Sequence, residues 1–117
     1  MDEALIARLR TICLALPEAT EGGGVGNPTF RVRDKIFAMQ HPVDGRMTVW
    51  CKAPAGAQQA LVGSDPEHFF VPPYVGHHGW IGLWFDVELD WELISGLVTD
   101  SYRMTAPKRL LARLTPP

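Results

Sequence analysis

The stretch from Phe30 to Lys52 constrains the fold most. Phe30 and Val32 alternate with Arg31 and Arg33, the period-two pattern of a strand with one dry face. Asp34-Lys35 reads as a tight turn, and Ile36-Phe37-Ala38-Met39-Gln40 runs back beside the first strand. A loop through Pro42 and Asp44-Gly45 leads into a third strand, Met47 to Lys52. A two-residue turn at 34–35 places Phe30, Val32, Phe37 and Met39 on one face. It leaves Arg31, Arg33, Ala38 and Gln40 on the other. The register of the third strand stays open. Polar alternation turns Met47, Val49 and Cys51 inward and Thr48, Trp50 and Lys52 outward, whereas a two- or four-residue loop before it inverts that choice.

Helices bracket these strands. Leu5, Ile6, Leu9, Ile12, Cys13 and Leu16 recur at three- and four-residue spacing, with Asp2 as N-cap, Glu3 in the first turn and Pro17 as the stop. Arg8 and Arg10 fall on or near the wet side. Near the other end Asp90 caps a helix whose apolar stripe is Trp91, Ile94, Leu97, Val98 and Tyr102. It ends before Pro107, and residues 108–114 add a short basic helix. Residues 55–63 form a short helix ending at Gly63. Phe69 to Gly76 is apolar but interrupted by Pro72-Pro73, so it is an edge strand or an extended loop. Trp80 to Phe85 is apolar on both faces and reads as a buried strand. The glycine-rich segment 21–28 reads as a loop. It leads into a strand, not a helix N-terminus, and lacks Gly-Lys-Ser/Thr, so it is not a phosphate cradle. The predicted order is α-β-β-β-α-β-α, an α+β domain with an antiparallel sheet and both long helices on one face.

The chain has 117 residues, which suits a single domain over 1–117. No apolar run approaches the roughly 18 residues of a membrane span. Met1-Asp2-Glu3 is acidic where a signal peptide carries positive charge. The expectation is a soluble cytoplasmic protein. Cys13 and Cys51 are too few for a disulfide framework and read as small buried hydrophobes. The net charge of -2 hides an asymmetry. The segment 31–60 carries +3 and 101–117 carries +4, whereas 61–100 carries -7 and 1–30 carries -2. Such a chain does not coat nucleic acid indiscriminately. An anion-binding surface must come from 31–52, from the C-terminal tail, or from both.

The second half resembles a known family. Phe69-Phe70-Val71-Pro72-Pro73-Tyr74-Val75-Gly76, Gly79-Trp80-Ile81-Gly82, Asp90-Trp91, Asp100-Ser101-Tyr102-Arg103 and Ala106-Pro107-Lys108 together resemble the MmcQ/YjbR-like family. Leu16-Pro17-Glu18-Ala19-Thr20-Glu21 and the strand pair around Phe30 and Ile36-Phe37-Ala38 fit as well. The resemblance implies a CyaY-like α+β fold, sometimes called a double wing, and a DNA-binding role by analogy with that shape. It brings no catalytic residues.

Three readings of function follow. The leading one is DNA binding that weakens with salt, through a basic sheet face. Arg31, Arg33 and Lys52 form it with Trp50 for base stacking, and Lys35 and Arg46 stand in the flanking turns. The alternative is a ligand- or protein-binding module at the aromatic loop, where Tyr74, Trp80 and Trp84 surround His77 and His78, with Ser101 and Tyr102 packed nearby. Catalysis is the weakest reading, because neither His-Glu-x-x-His nor Cys-x-x-Cys occurs and adjacent His77-His78 point apart in a strand. The chain is expected to be non-enzymatic, without metal or cofactor, and a monomer or small homo-oligomer.

Overall fold

The computed structural model describes residues 3–24 and 27–114. Among them α1 (Glu3–Leu14) leads into β1 (Thr20–Gly24), β2 (Asn27–Val32), β3 (Lys35–Gln40) and β4 (Thr48–Cys51). The chain continues through α2 (Ala57–Ser64), β5 (Phe69–Phe70), a 3-10 turn at Gly76–His78, β6 (Ile81–Trp84), α3 (Trp91–Thr105) and α4 (Lys108–Leu111). The six strands form one antiparallel sheet in the order β1-β2-β3-β4-β6-β5. The architecture is the expected α+β one, with two further strands. β1 and the start of β2 occupy the glycine-rich segment read as a loop, and β5 is the edge strand cut short before Pro72. Glycines weaken a strand's sequence signal, but the ladder to β2 supplies the missing hydrogen bonds.

The β2–β3 turn lies one residue earlier than predicted. Arg33 and Asp34 both take positive φ, 51° and 66°, so Val32 pairs with Lys35. Two consecutive left-handed residues give a two-residue turn whose twist matches the strands it joins. A bulge follows, since Phe30 pairs with Ala38 but Arg31 with Ile36. Phe37 is the extra residue. Phe37 and Ala38 are therefore both buried, and the Phe37 ring meets Tyr102 edge-on at 5.4 Å. Three face assignments are corrected by this register. Ala38 joins Phe30 on the helix side, as does Gln40 opposite Val49, and Met39 pairs with Thr29 on the far side.

Val49 and Cys51 point into the core with Ile81 and Leu83, as polar alternation predicts. Thr48 and Trp50 do lie on the other face, but they are buried rather than solvated. Gln40 pairs with Val49, sharing the helix side, and is only 2% exposed.

α3 packs across β3 and β4 and against α1, so both long helices cover one face. Asp90 caps α3 as predicted, its Oδ1 accepting from the amides of Glu92 and Leu93 at 3.1 and 3.2 Å. Ile6, Leu9 and Cys13 of α1 and Ile94, Val98 and Tyr102 of α3 close the core over Phe30, Val32 and Phe37. The predicted Asp2 cap lies outside the described residues. No helix among them is long and apolar enough to cross a membrane.

Candidate nucleic-acid interface

The predicted basic sheet face does not form as a unit. Arg33 sits in the turn, not on the strand, and its Nε donates to Glu18 Oε1 at 2.9 Å. Arg46 is bound twice to Asp86, Nε to Oδ2 and NH2 to Oδ1, both at 2.7 Å. Its guanidinium also lies 3.8 Å above the Trp84 ring. That bidentate bond holds the Asp86 carboxyl below its usual range, and the pair is locally neutral. Trp50 is 2% exposed, so it offers no face to a base. His41 stacks on it at 4.3 Å, and its indole N–H donates to Thr48 Oγ1 at 3.0 Å. The Thr48 hydroxyl in turn donates to the His41 carbonyl. The predicted outward Trp50 is corrected because an indole has too much apolar surface to leave beside a histidine that can cover it.

Arg31 remains half-exposed on the far face, its Nε near Thr29 Oγ1 at 3.4 Å. Lys35 is exposed at the start of β3. Lys52 lies just past β4, and burial first, then the charge of Lys35, lowers its ammonium pKa. Arg31, Lys35 and Lys52 are the predicted cations that no acidic side chain engages among the ion pairs of the described residues.

A different cluster forms at the hairpin end. Glu18, in a left-handed conformation just after α1, holds Arg33 and also lies 3.5 Å from the Arg113 guanidinium. The hydrogen bond from Arg33 keeps the Glu18 carboxyl below its usual range, and the charges of Arg113 and Arg109 add to that. One carboxylate thus sits among three guanidiniums, leaving an excess of positive charge. Tyr102 positions the turn beneath it by donating to the Pro17 carbonyl at 2.7 Å. Arg109 and Arg113 were missing from the predicted site. The basic C-terminal block was visible, but only the contact of Arg113, just past α4, with Glu18 shows where it goes.

The aromatic loop is dispersed. Tyr74 is 81% exposed, while Trp80 is buried. Trp84 is sandwiched between Arg46 and Phe70, whose ring centroid is 4.3 Å away. Ser101 and Tyr102 are core residues. The Ser101 hydroxyl donates to the Phe37 carbonyl at 2.5 Å and accepts from the Lys52 amide at 2.8 Å. His77 and His78 line a hollow with Gln58, Gly76 and Met104, away from Trp84, Ser101 and Tyr102. Gln58 pins this loop, its Nε2 donating to the carbonyls of Gly76 and Trp80, both at 2.7 Å. Gln58→Ala is expected to leave the Trp80 carbonyl without this donor and the Gly76 carbonyl with only the Gly79 amide, and to cost about 1–3 kcal/mol. Faster amide hydrogen exchange confined to residues 76–81 would confirm it, and unchanged protection there would refute it. Among the described residues no group of three His, Cys, Asp or Glu side chains is placed to hold a metal ion.

One antiparallel sheet with its long helices on a single face, and a basic cluster at one end, defines a two-layer α+β protein. The chain belongs to the YjbR family, whose model matches residues 14–104. The fold is shared with protein DR2400 of Deinococcus radiodurans, described as a DUF419 domain. The TM-score is 0.73 and the identity 18%, over 85% of this chain and 76% of that one. No curated protein matches.

Proposed function

We propose that this chain acts by binding and not by catalysis, that it works in the cytoplasm, and that its partner is DNA held through the hairpin-end cluster. The observation that carries this is the meeting of two basic segments far apart in sequence. Arg33 from the first and Arg113 from the second share one carboxylate, Glu18, which also lies within the electrostatic reach of Arg109. Exposed Lys35 flanks the turn, and Lys52 lies within its electrostatic reach. Guanidiniums engage phosphate oxygens with paired donors, and several of them on one surface bind a polyanion with strong salt dependence. The acidic 61–100 segment supplies Asp86 to neutralise Arg46, so the sheet face contributes less than the hairpin end.

The test is duplex affinity measured across a salt series. Removing three phosphate-contacting cations should lower the slope of log K against log salt by about 2–3 units. Arg33→Ala, Arg109→Ala and Arg113→Ala combined should produce that loss, whereas Arg46→Ala should leave the slope unchanged. Absence of binding at low salt, or a triple variant with the parent slope, would overturn the reading. A slope that falls only with Arg31→Ala would place binding on the sheet face instead.

A further inference from the structure

One side chain, His68, ties the turn between α2 and β5 to the segment between β6 and α3. Its Nδ1 lies 2.8 Å from Asp65 Oδ1, and its Nε2 lies 3.1 Å from the Glu88 carbonyl oxygen. Both partners only accept. A neutral imidazole has one N–H and one lone pair, so it can donate to one partner and must turn its lone pair on the other. Only the imidazolium, with an N–H on each nitrogen, makes both bonds. The hydrogen bond to Asp65 raises the His68 pKa and partial burial opposes it, while the charge of Asp65, the Glu88 carbonyl and the charge of Glu67 add to the rise.

The surroundings are acidic. His68 lines a hollow of about 550 Å³ with Asp65, Glu67, Glu88 and Asp90, and no Lys or Arg lines it among the described residues. Arg46, on the far side of Trp84, is already paired with Asp86. The rest of the wall is mostly apolar, including Leu83, Leu89, Leu93 and Ile94.

We propose that His68 is a proton-operated latch on this hollow. With both nitrogens protonated, it holds the Glu88 carbonyl and with it the segment that runs into the Asp90 cap of α3. The neutral ring keeps its N–H on Nδ1 for the charged acceptor and turns a lone pair on the carbonyl. The positive charge among four carboxylates is lost in the same step. Segment 86–90 then releases, and the apolar wall opens to water. The folded pKa is raised, so the latch is fully closed below about pH 6.5, the ordinary histidine value, and opens as pH rises through the folded value. None of Arg33, Arg109 and Arg113 takes part, so the latch is independent of the DNA reading.

The test is side-chain ¹H–¹⁵N spectra of the histidines and amide hydrogen exchange, both on the full chain from about pH 5.5 to 8.5, which brackets an ordinary histidine. His68 should titrate above about 6.5, with N–H signals on both nitrogens below its midpoint. The readout of opening is the protection factors of the Trp84 and Ile94 amides, which already exclude the intrinsic rise of exchange with pH. Trp84 donates to the His68 carbonyl and Ile94 to that of Asp90, so they report the two ends of the latched segment. Both factors should fall about 10-fold through the His68 midpoint, the worth of one hydrogen bond from a charged donor. His68→Gln carries no titrating proton and should show no step. A His68 midpoint at or below about 6.5, or protection with no step at that midpoint, would overturn the proposal, and neither measurement needs a variant to fold. So would a step that survives in His68→Gln.

Discussion

Tyr102→Ala is expected to destabilise the protein by about 3–5 kcal/mol, the range for removing a large aromatic from a packed core. Tyr102 is fully buried, meets Phe37 edge-on, and ties α3 to the end of α1 through Pro17. A domain of this size has only about 5–15 kcal/mol of net stability, so the variant would retain a small margin. Tyr102→Phe keeps the ring and loses only the bond to the Pro17 carbonyl, a loss of about 1 kcal/mol. Urea unfolding at neutral pH measures both. The order Ala far below Phe, and Phe slightly below the parent, is required. A Tyr102→Phe variant as unstable as Tyr102→Ala would mean that the hydroxyl, and not the ring, holds the helix in place. Because that hydroxyl supports the turn bearing Glu18, Tyr102→Phe should also loosen the Arg33 and Arg113 contacts.

Stability should also fall steeply in alkali, through the two thiols. Burial pushes the Cys51 thiol up to about 12, and burial raises Cys13 further. Both are free and buried, so in the folded protein they keep their protons. The sign follows from linkage. In the unfolded chain a thiol ionises near pH 8.5, and above that the unfolded state binds fewer protons than the folded one. The stabilisation is therefore fully present below about pH 8.5 and is lost as pH rises through the folded pKa values. Each thiol contributes a slope approaching about 1.4 kcal/mol per pH unit, so the pair reaches about 2.7. Lys52 works in the opposite direction, since its folded pKa is lowered and charging it in the fold is unfavourable below that value. One lysine does not offset two thiols. Urea unfolding under reducing conditions between pH 7 and 10 gives the profile. The Cys13→Ala, Cys51→Ala double variant should flatten it, and an unchanged slope in that variant would assign the effect elsewhere.

Much of the architecture was legible in advance because periodicity reports burial directly. The stripes of α1 and α3, the Asp90 cap, the inward set of β4 and the buried β6 all follow from spacing alone. The errors of face in the first hairpin share one origin, which is register. A turn displaced by one residue and a bulge at Phe37 together moved Ala38 to the core and Arg33 into a turn. Both depend on backbone conformations that Arg-Asp does not advertise as Asn-Gly would. β1 escaped notice because three glycines erase the alternation on which a strand is recognised.

By itself the sequence determined the layers: which segments have a dry face, where the long helices start and stop, and that net positive charge falls in two blocks. Those properties are local, set by side-chain chemistry within a turn or a strand. Only the tertiary structure decided which charges remain available. Arg46 meets Asp86 across 40 residues, Arg33 meets Glu18 across 15, and α4 brings Arg113 to the same carboxylate. It also left the buried side-chain oxygen of Gln40 unpaired. Whether a charge is spent or free, and whether a polar group is satisfied, depends on partners distant in the chain, and these are chosen by packing.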